Sequence, residues 1–430
     1  MKKIALFGFG TVGKAVHNIF LRELKQLNAT LEMIVVRNKE KHLDQLETTV
    51  RSIIEPLFED DIEAAIQRIP TFDIIIEVIG GTNAAWDIVR TGLQQGKKVI
   101  TANKALLAHY MKDLEMLNRV SDGMLFYEAS VAGGIPIIKS LTRDLQWGTS
   151  DAFGVTRISG ILNGTSNYIL TEMERRDITY QVALVEAQQK GYAESVPSAD
   201  VEGWDARAKV QILQRMAYGT SNGDIICEGI TEVEPIDFKY ARLLGGKIKL
   251  VATTIANNEG VRSWVLPTVV SKDTSIATTN GVQNIVTVHH ATLGPVSMVG
   301  FGAGGDPTAH SVVSDVRQAL LHSSPTLWFG SSQYRLKDSV AAMNLPFYIR
   351  LTVRDQVGII ADVGRVCEEL KISIDAVLQL PVPSGFDYMD NELQFVVTLN
   401  ETPYEMVMML RNILTLREWN LRPPFVMGIM

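Results

Sequence analysis

Cysteine is almost absent from this 430-residue sequence: there are two, Cys227 and Cys367, and they form no CxxC. A disulfide-stapled secreted fold is therefore not expected, and a reducing, cytoplasmic location suits this usage better. The seven histidines include no HExxH and no Cys/His cluster, which argues against a dedicated zinc site. Apolar runs such as DIIIEVIGG are far shorter than a bilayer span, so no transmembrane segment is expected. The first strand pattern, KKIALFG, starts at residue 2 with no charged stretch and apolar core ahead of it, and no signal peptide is read. An excess of basic charge is also missing. The 41 Lys+Arg are set against 48 Asp+Glu, for a net charge of -7, with both signs interspersed. Neither a nucleic-acid footprint nor a membrane-surface patch fits that balance.

What is present is an ordinary balance for a soluble globular enzyme, 46% hydrophobic and 21% charged. The length allows about three domains at ~150 residues each. Up to about residue 130, short apolar runs alternate with helical patterns: KIALFGFG, a helix over 12–27, then LEMIVV, DIIIEVIG, KKVITA and GMLFYEA. Runs that are apolar on both faces read as central parallel strands, and their alternation with helices gives βαβ units. An α/β fold follows, with a Rossmann-type doubly wound parallel sheet over 1–135, completed by about 300–322. From about 150 the texture changes to longer polar helices and alternating strands such as IKLVATTI, RSWVLPTVV and NIVTVHHATLG. These predict an α+β substrate and dimerisation domain over 136–300 with an antiparallel sheet. Residues 323–344 are Ser-rich and weakly periodic, and read as a linker. Beyond them, over 345–430, PFYIRLTV, IIADVGRVCEELK, ISIDAVLQLP, LQFVVTLN, TPYEMVMMLRNILTLR and PPFVMGIM follow the order βαββαβ, a ferredoxin-like domain.

The chemistry-bearing signals begin with GFGTVG at residues 8–13, a G-x-G-x-x-G between a strand and a helix. Gly8 permits the tight turn, Gly10 lets backbone N–H groups approach a pyrophosphate, and Gly13 allows close helix–strand packing. After LEMIVV comes Arg37, where an NAD-preferring site usually carries an acid for the ribose 2'-hydroxyl. A guanidinium there can grip a 2'-phosphate, so NADP is expected over NAD. Ligands of open α/β sheets bind beyond the carboxyl ends of the strands. At one such end Lys104 starts a helix, where the dipole opposes a cation, so the residue is either a surface lysine or one with another task. At another, Glu128 either holds a hard cation through oxygen ligands or caps backbone N–H groups, and Pro136 is read as a helix N1 residue. In ILNGTSNYIL, Asn163-Gly164 is read as a turn with Thr165 or Ser166 as helix N-cap. The four glycines in 300–305 suit either close approach of backbone to a ligand or a flexible connection. In GYAESVPSADVEGWDARAKVQIL, Asp205 and Lys209 stand one helical turn apart, either as a surface ion pair or as an acid and ammonium aimed into a cleft.

Taken in order, GFGTVG, EVIGG, ANKALLA, EASVAGGIPI, ILNGTSNYIL, GYAE with DVEGWDARAK, and GAGGDPTA resemble the homoserine dehydrogenase family. Residues 346–430, with RDQVGIIADVGRV and ISIDAVLQ, are similar to an ACT domain. The resemblance implies reversible NAD(P)-dependent interconversion of L-homoserine and L-aspartate 4-semialdehyde, on the branch to threonine, methionine and isoleucine. It makes Lys209 the proton donor, sets Lys104 beside nicotinamide and substrate, and gives homoserine to Glu194 and Asp205. It extends the cofactor contacts to Thr11, Val12, Ile79, Gly80, Lys104, Gly191, Gly302 and Gly304. It also implies a monovalent cation such as sodium at Glu128 and the carbonyls of Val131, Gly133 and Ile135. Where the family usually has an aspartate two residues after GYAE, this sequence has Val196.

With that match, hydride reduction of an aldehyde explains the pair: the oxygen that gains negative charge needs a proton, which Lys209 supplies. Two competing readings fare worse. A semialdehyde dehydrogenase working through a thiohemiacetal needs a nucleophilic cysteine, and Cys227 follows no activating motif. A non-catalytic nucleotide and amino-acid sensor would not need Lys104, Asp205 and Lys209 together. The ACT-like end adds expectations of a homodimer or homotetramer and of L-threonine as effector, with the carboxylate received at Gly358 of RDQVG. The cofactor reading is checked by Arg37→Asp, which should lower the NADPH over NADH preference by about tenfold, the worth of one lost charged contact; an unchanged ratio of kcat/KM would refute it.

Overall fold

The computed structural model describes residues 1–44, 51–52, 54–145, 154–219, 224–257, 259–321, 342–380 and 392–430. The 323–344 linker lies, apart from its last residues, outside these. Two compact units are formed, one from Met1–Ile158, Ala208–Ser221 and Asn284–Leu336, the other from Ser159–Arg207, Asn222–Gln283 and Lys337–Met430. Among the described residues no helix is long and apolar enough to cross a membrane.

The first unit opens with β1 (Lys2–Phe7), β2 (Ala29–Val35), β3 (Phe58–Glu59), β4 (Ile74–Glu77), β5 (Lys98–Thr101) and β6 (Met124–Phe126), all parallel, in the order β3-β2-β1-β4-β5-β6. Ile74, Ile75 and Ile76 of β4 are no more than 1% exposed, as their unbroken apolar run requires of a strand covered on both faces. The order reverses between β1 and β4, which opens a crevice at their carboxyl ends. The first helix, Thr11–Glu23, is shorter than the expected 12–27: turns follow it, and Asn28 takes a left-handed φ of 51° before β2. The two-residue β3 was not anticipated, being too short to carry a period.

From the first unit β7 (Val155–Ile161) leads into the second, where β8 (Ile226–Cys227), β9 (Gly246–Asn257) and β10 (Gly260–Ser271) follow. β11 (Gln283–His290) and β12 (Gly294–Phe301) bring the chain back to the first unit, and the helix Gly305–Leu321 packs beside Thr11–Glu23. The C-terminal segment supplies β13 (Asn344–Arg354), a helix Ile359–Glu369, β14 (Ile374–Leu378), β15 (Glu392–Pro403), a helix Tyr404–Thr415 and β16 (Phe425–Ile429), the expected βαββαβ order.

The second unit's sheet is mixed, not antiparallel as the sequence suggested. Its order includes β9-β10-β16-β13-β15-β14, with β10 antiparallel to β9 but parallel to β8 and β16. The chain end closes this pairing, with Met430 N donating to Val269 O at 2.9 Å and Ser271 N to Met430 O at 3.1 Å. Trp264 and Leu266 of β10 share one apolar cluster with Phe347, Leu351 and Val363 of the C-terminal segment. A buried ion pair adds to it. Arg350 of β13, 4% exposed, sets Nε 2.8 Å from Asp237 Oδ1, and Tyr348 donates its hydroxyl to the same oxygen at 2.6 Å. Such a pair specifies its partner strongly, because either charge left alone in the interior is costly.

Candidate active site

Two glycines of GFGTVG, Gly8 and Gly13, have a steric reason. Gly8 has φ 108°, and a Cβ there would lie 2.6 Å from Val78 O. A Cβ on Gly13 would collide with Gly8 O, so helix and strand could not close up. Gly10 has nothing within 4 Å of its Cβ position: its backbone faces open space. A cleft of about 380 Å3 is lined by Thr11, Val12, Gly80, Lys104, Lys209 and the 302–305 glycine turn, all in the first unit. The residues fit a dinucleotide: a helix N-terminus without a side-chain cap points its free N–H groups at a glycine-lined cleft.

Glu77, which the sequence reading passed over, organises the strand ends. It is fully buried and accepts from Thr101 Oγ1 at 2.6 Å and from Ile79 N at 2.9 Å. Burial pushes its carboxyl above the usual range, against the pull of those hydrogen bonds. Asn103 donates to Gly81 O at 2.6 Å and accepts from Leu106 N at 3.0 Å, so it caps the helix Lys104–Val120 while holding the 78–81 turn. Lys104 is thereby fixed as the first helical residue, on the cleft wall.

Lys209 is carried by the helix Trp204–Tyr218 and is only 6% exposed. From Ala208 on, that helix belongs to the first unit. Arg215 makes a bidentate ion pair with Glu115, and Gln211 Nε2 donates to Ala108 O at 3.4 Å, which ties it to the Lys104–Val120 helix. The two lysines therefore line one cleft. Asp205, a turn before Lys209, is 7% exposed and accepts from Asn163 Nδ2 at 2.9 Å; the same amide reaches Asp200 Oδ1 at 2.6 Å. Asn163 does more than make a turn. It, and not Thr165 or Ser166, is the N-cap of Gly164–Arg176, because its extended backbone lets Oδ1 accept from Ser166 N at 2.8 Å. Glu194 and Gly191 lie in the second unit, both exposed, with Gly191 at φ 73°. Arg37 is exposed just past the end of β2, and Ile79 lies within the 78–81 turn.

Glu128 starts a 3-10 turn after β6 and is 2% exposed. Its two oxygens accept from Ile138 N at 2.9 Å and Lys139 N at 2.8 Å, the capping alternative, at the head of Ile137–Arg143. Pro136 is the N-cap of that helix and not N1, since its ψ of 57° is not helical. Of the carbonyls expected to join Glu128, Gly133 O accepts from Ser311 Oγ at 2.7 Å and Ile135 O from Ile137 N at 2.8 Å. Burial, then the neighbouring Asp315, push Glu128 up to about 7. Burial pushes the Cys227 thiol up to about 11, which disfavours the nucleophilic thiolate.

Comparison with known proteins gives the family and the fold. Residues 8–128 match the family model of the homoserine dehydrogenase NAD binding domain, and residues 136–316 that of homoserine dehydrogenase. A homoserine dehydrogenase from Neisseria gonorrhoeae is 32% identical over 389 residues, 87% of each chain. The structure of a homoserine dehydrogenase from Thiobacillus denitrificans superposes with a TM-score of 0.86 at 29% identity, covering 100% of this chain and 98% of that one. A hyperthermophilic archaeal homoserine dehydrogenase in complex with NADPH gives 0.62 at 27% identity, covering 74% of this chain and 98% of the other.

The state of Glu128 sets a pH test. Because its folded value is raised from 4.5 to about 7, the stability it contributes is fully present below about 4.5 and is lost as pH rises to about 7. Denaturant unfolding across that window should give a wild-type minus Glu128→Gln difference that falls by on the order of 2 kcal/mol. A difference independent of pH would contradict it.

Proposed function

This chain belongs to the homoserine dehydrogenase family and is an NAD(P)-dependent oxidoreductase, and from that premise we propose that Lys209 is the proton donor in the reduction of L-aspartate 4-semialdehyde to L-homoserine. One observation carries the proposal: a lysine only 6% exposed lines the same cleft as Thr11 and Val12 of the dinucleotide motif and Lys104. When bound, the nicotinamide supplies hydride to the aldehyde carbon. The aldehyde oxygen then gains negative charge, which the ammonium of Lys209 stabilises and neutralises by giving up its proton. Lys104 supplies a second positive charge along that wall. Asp205 orients the lysine from one turn earlier and, with Glu194, accepts hydrogen bonds from the substrate; the grip of Asn163 on the Asp205 carboxylate supports that role. Thr11, Val12, Gly80, Gly302 and Gly304 are the proposed backbone contacts of the cofactor, joined by Ile79 and Gly191. The exposed Arg37 at the end of β2 supports NADP over NAD.

The cation expected at Glu128, Val131, Gly133 and Ile135 has less support, since both Glu128 oxygens and two of the carbonyls already accept hydrogen bonds. The βαββαβ segment is the proposed ACT-like module, and the strand order β16-β13-β15-β14 supports it. L-Threonine is its proposed effector, a reading refuted by a flat activity titration. Gly358, at φ 94° with open space at its Cβ position, heads the helix Ile359–Glu369 where that carboxylate was expected. Homodimer or homotetramer assembly goes with this module and is excluded if the protein sediments as a monomer.

Lys209→Ala should lower kcat by roughly 10²–10⁴, the usual worth of a positioned acid, while NADPH still binds by fluorescence titration. Retention of near-normal kcat would remove Lys209 from the chemistry.

A further inference from the structure

Against the glycine turn that borders the cleft stands a buried side chain with unmet polar groups. Asn284, the second residue of β11, is fully buried, and among the described residues neither Nδ2 nor Oδ1 of its amide has a hydrogen-bond partner. The amide is pressed on Gly302. A Cβ on Gly302 would lie 1.9 Å from Asn284 Nδ2, 2.0 Å from Cγ and 2.5 Å from Oδ1, so the amide fills the space that any other residue at 302 would need. Gly133 crowds the same stretch of backbone: a Cβ there would lie 2.6 Å from Gly302 C and 2.9 Å from Ala303 N. The turn is tied at both ends, where Gly134 N donates to Phe301 O at 3.1 Å and Thr308 N to Gly304 O at 3.3 Å. Between those ties Gly302, Ala303 and Gly304 line the cleft, and all of these residues belong to the first unit.

An asparagine amide offers two N–H donors and two acceptor lone pairs. Unmet in the interior, they cost free energy that leucine, of nearly the same size, would avoid. Native folds keep few such groups, and each calls for a reason. We propose that Asn284 is a positioning residue for the dinucleotide, acting through the 302–304 turn. In the free protein its amide is held against Gly302 without partners. Glycine at 302 and 304 gives the peptides between them a range of φ and ψ that no other residue allows. In the loaded protein these peptides rotate against the seated dinucleotide and bring a backbone N–H or C=O onto the amide. The hydrogen bonds so gained exist in the bound state alone, so they add to the affinity for the cofactor. The role in binding rests on the cleft being the dinucleotide site proposed above; the cost of the unmet amide in the free protein does not.

Asn284→Leu tests both halves. In the free protein the substitution removes the unmet groups at nearly constant volume, so the thermal midpoint should hold or rise, by up to about 3 °C. With NADPH, the Kd from fluorescence titration should weaken by about tenfold and the NADPH-induced thermal shift should shrink with it. KM for NADPH should rise by more than kcat falls, a split that a merely structural role would not give. A folded variant with a lowered midpoint in the free state overturns the proposal, because the amide is then already satisfied there. Undiminished affinity for NADPH overturns it as well. If wild-type protein shows no NADPH-induced shift, the dinucleotide reading itself falls and takes this role with it. A crystal structure of wild-type protein with NADPH decides the matter if the variant does not fold. Asn284 Nδ2 or Oδ1 is expected within about 3.2 Å of a backbone nitrogen or oxygen of residues 301–304, and an amide still without a backbone partner refutes the proposal.

Discussion

A lysine with 6% of its residue surface exposed is set deep among other groups, and a fold keeps such a residue only where its surroundings fix and use its charge. The position of Lys209 depends on a helix whose residues from Ala208 on belong to the first compact unit. The fastening is specific: the guanidinium of Arg215 on the Glu115 carboxylate, and Gln211 on the backbone of the Lys104 helix. Because Lys104 starts the very helix that Arg215 and Gln211 grip, the two cations are positioned by one another's supports. Moving either helix moves both.

The cleft they share is kept open by buried carboxylates that take up backbone N–H groups at the strand ends. Glu77 accepts from Ile79 N after β4, Glu128 from Ile138 and Lys139, and Asp315 from Glu128 N at 2.9 Å. Each stabilises a turn that would otherwise leave donors unmet in the interior. Side chains thus hold the turns from behind, which leaves the glycine-lined backbone in front free for the dinucleotide.

Much of this was legible in the sequence, for a physical reason. Buried parallel strands and amphipathic helices write their periods locally, and GFGTVG demands glycine at Gly8 and Gly13 for two separate steric causes, both of which the backbone bears out. Other features have no local signature. The parallel pairing of Thr268 with Gly428 joins residues far apart in the chain, so the mixed sheet could not be read from strand patterns alone. Asn163 looked like a turn residue because Asn-Gly is a turn-forming pair and Thr165 and Ser166 offered the N-cap; its hold on Asp200 and Asp205 exists only once three segments meet. Glu77 stood inside the quoted EVIGG, yet nothing in that string says that its carboxylate turns inward to Thr101 and Ile79. A charged residue ending an otherwise wholly apolar strand was the one available signal.

The spatial claim beneath all of this is that the Lys209 ammonium meets the substrate oxygen. A crystal structure of the enzyme with NADP and L-homoserine measures it directly. Nζ of Lys209 is expected within about 3 Å of the hydroxyl oxygen that leaves as the aldehyde, as proton transfer requires. A homoserine hydroxyl hydrogen-bonded elsewhere, with Lys209 turned out of reach, would contradict it.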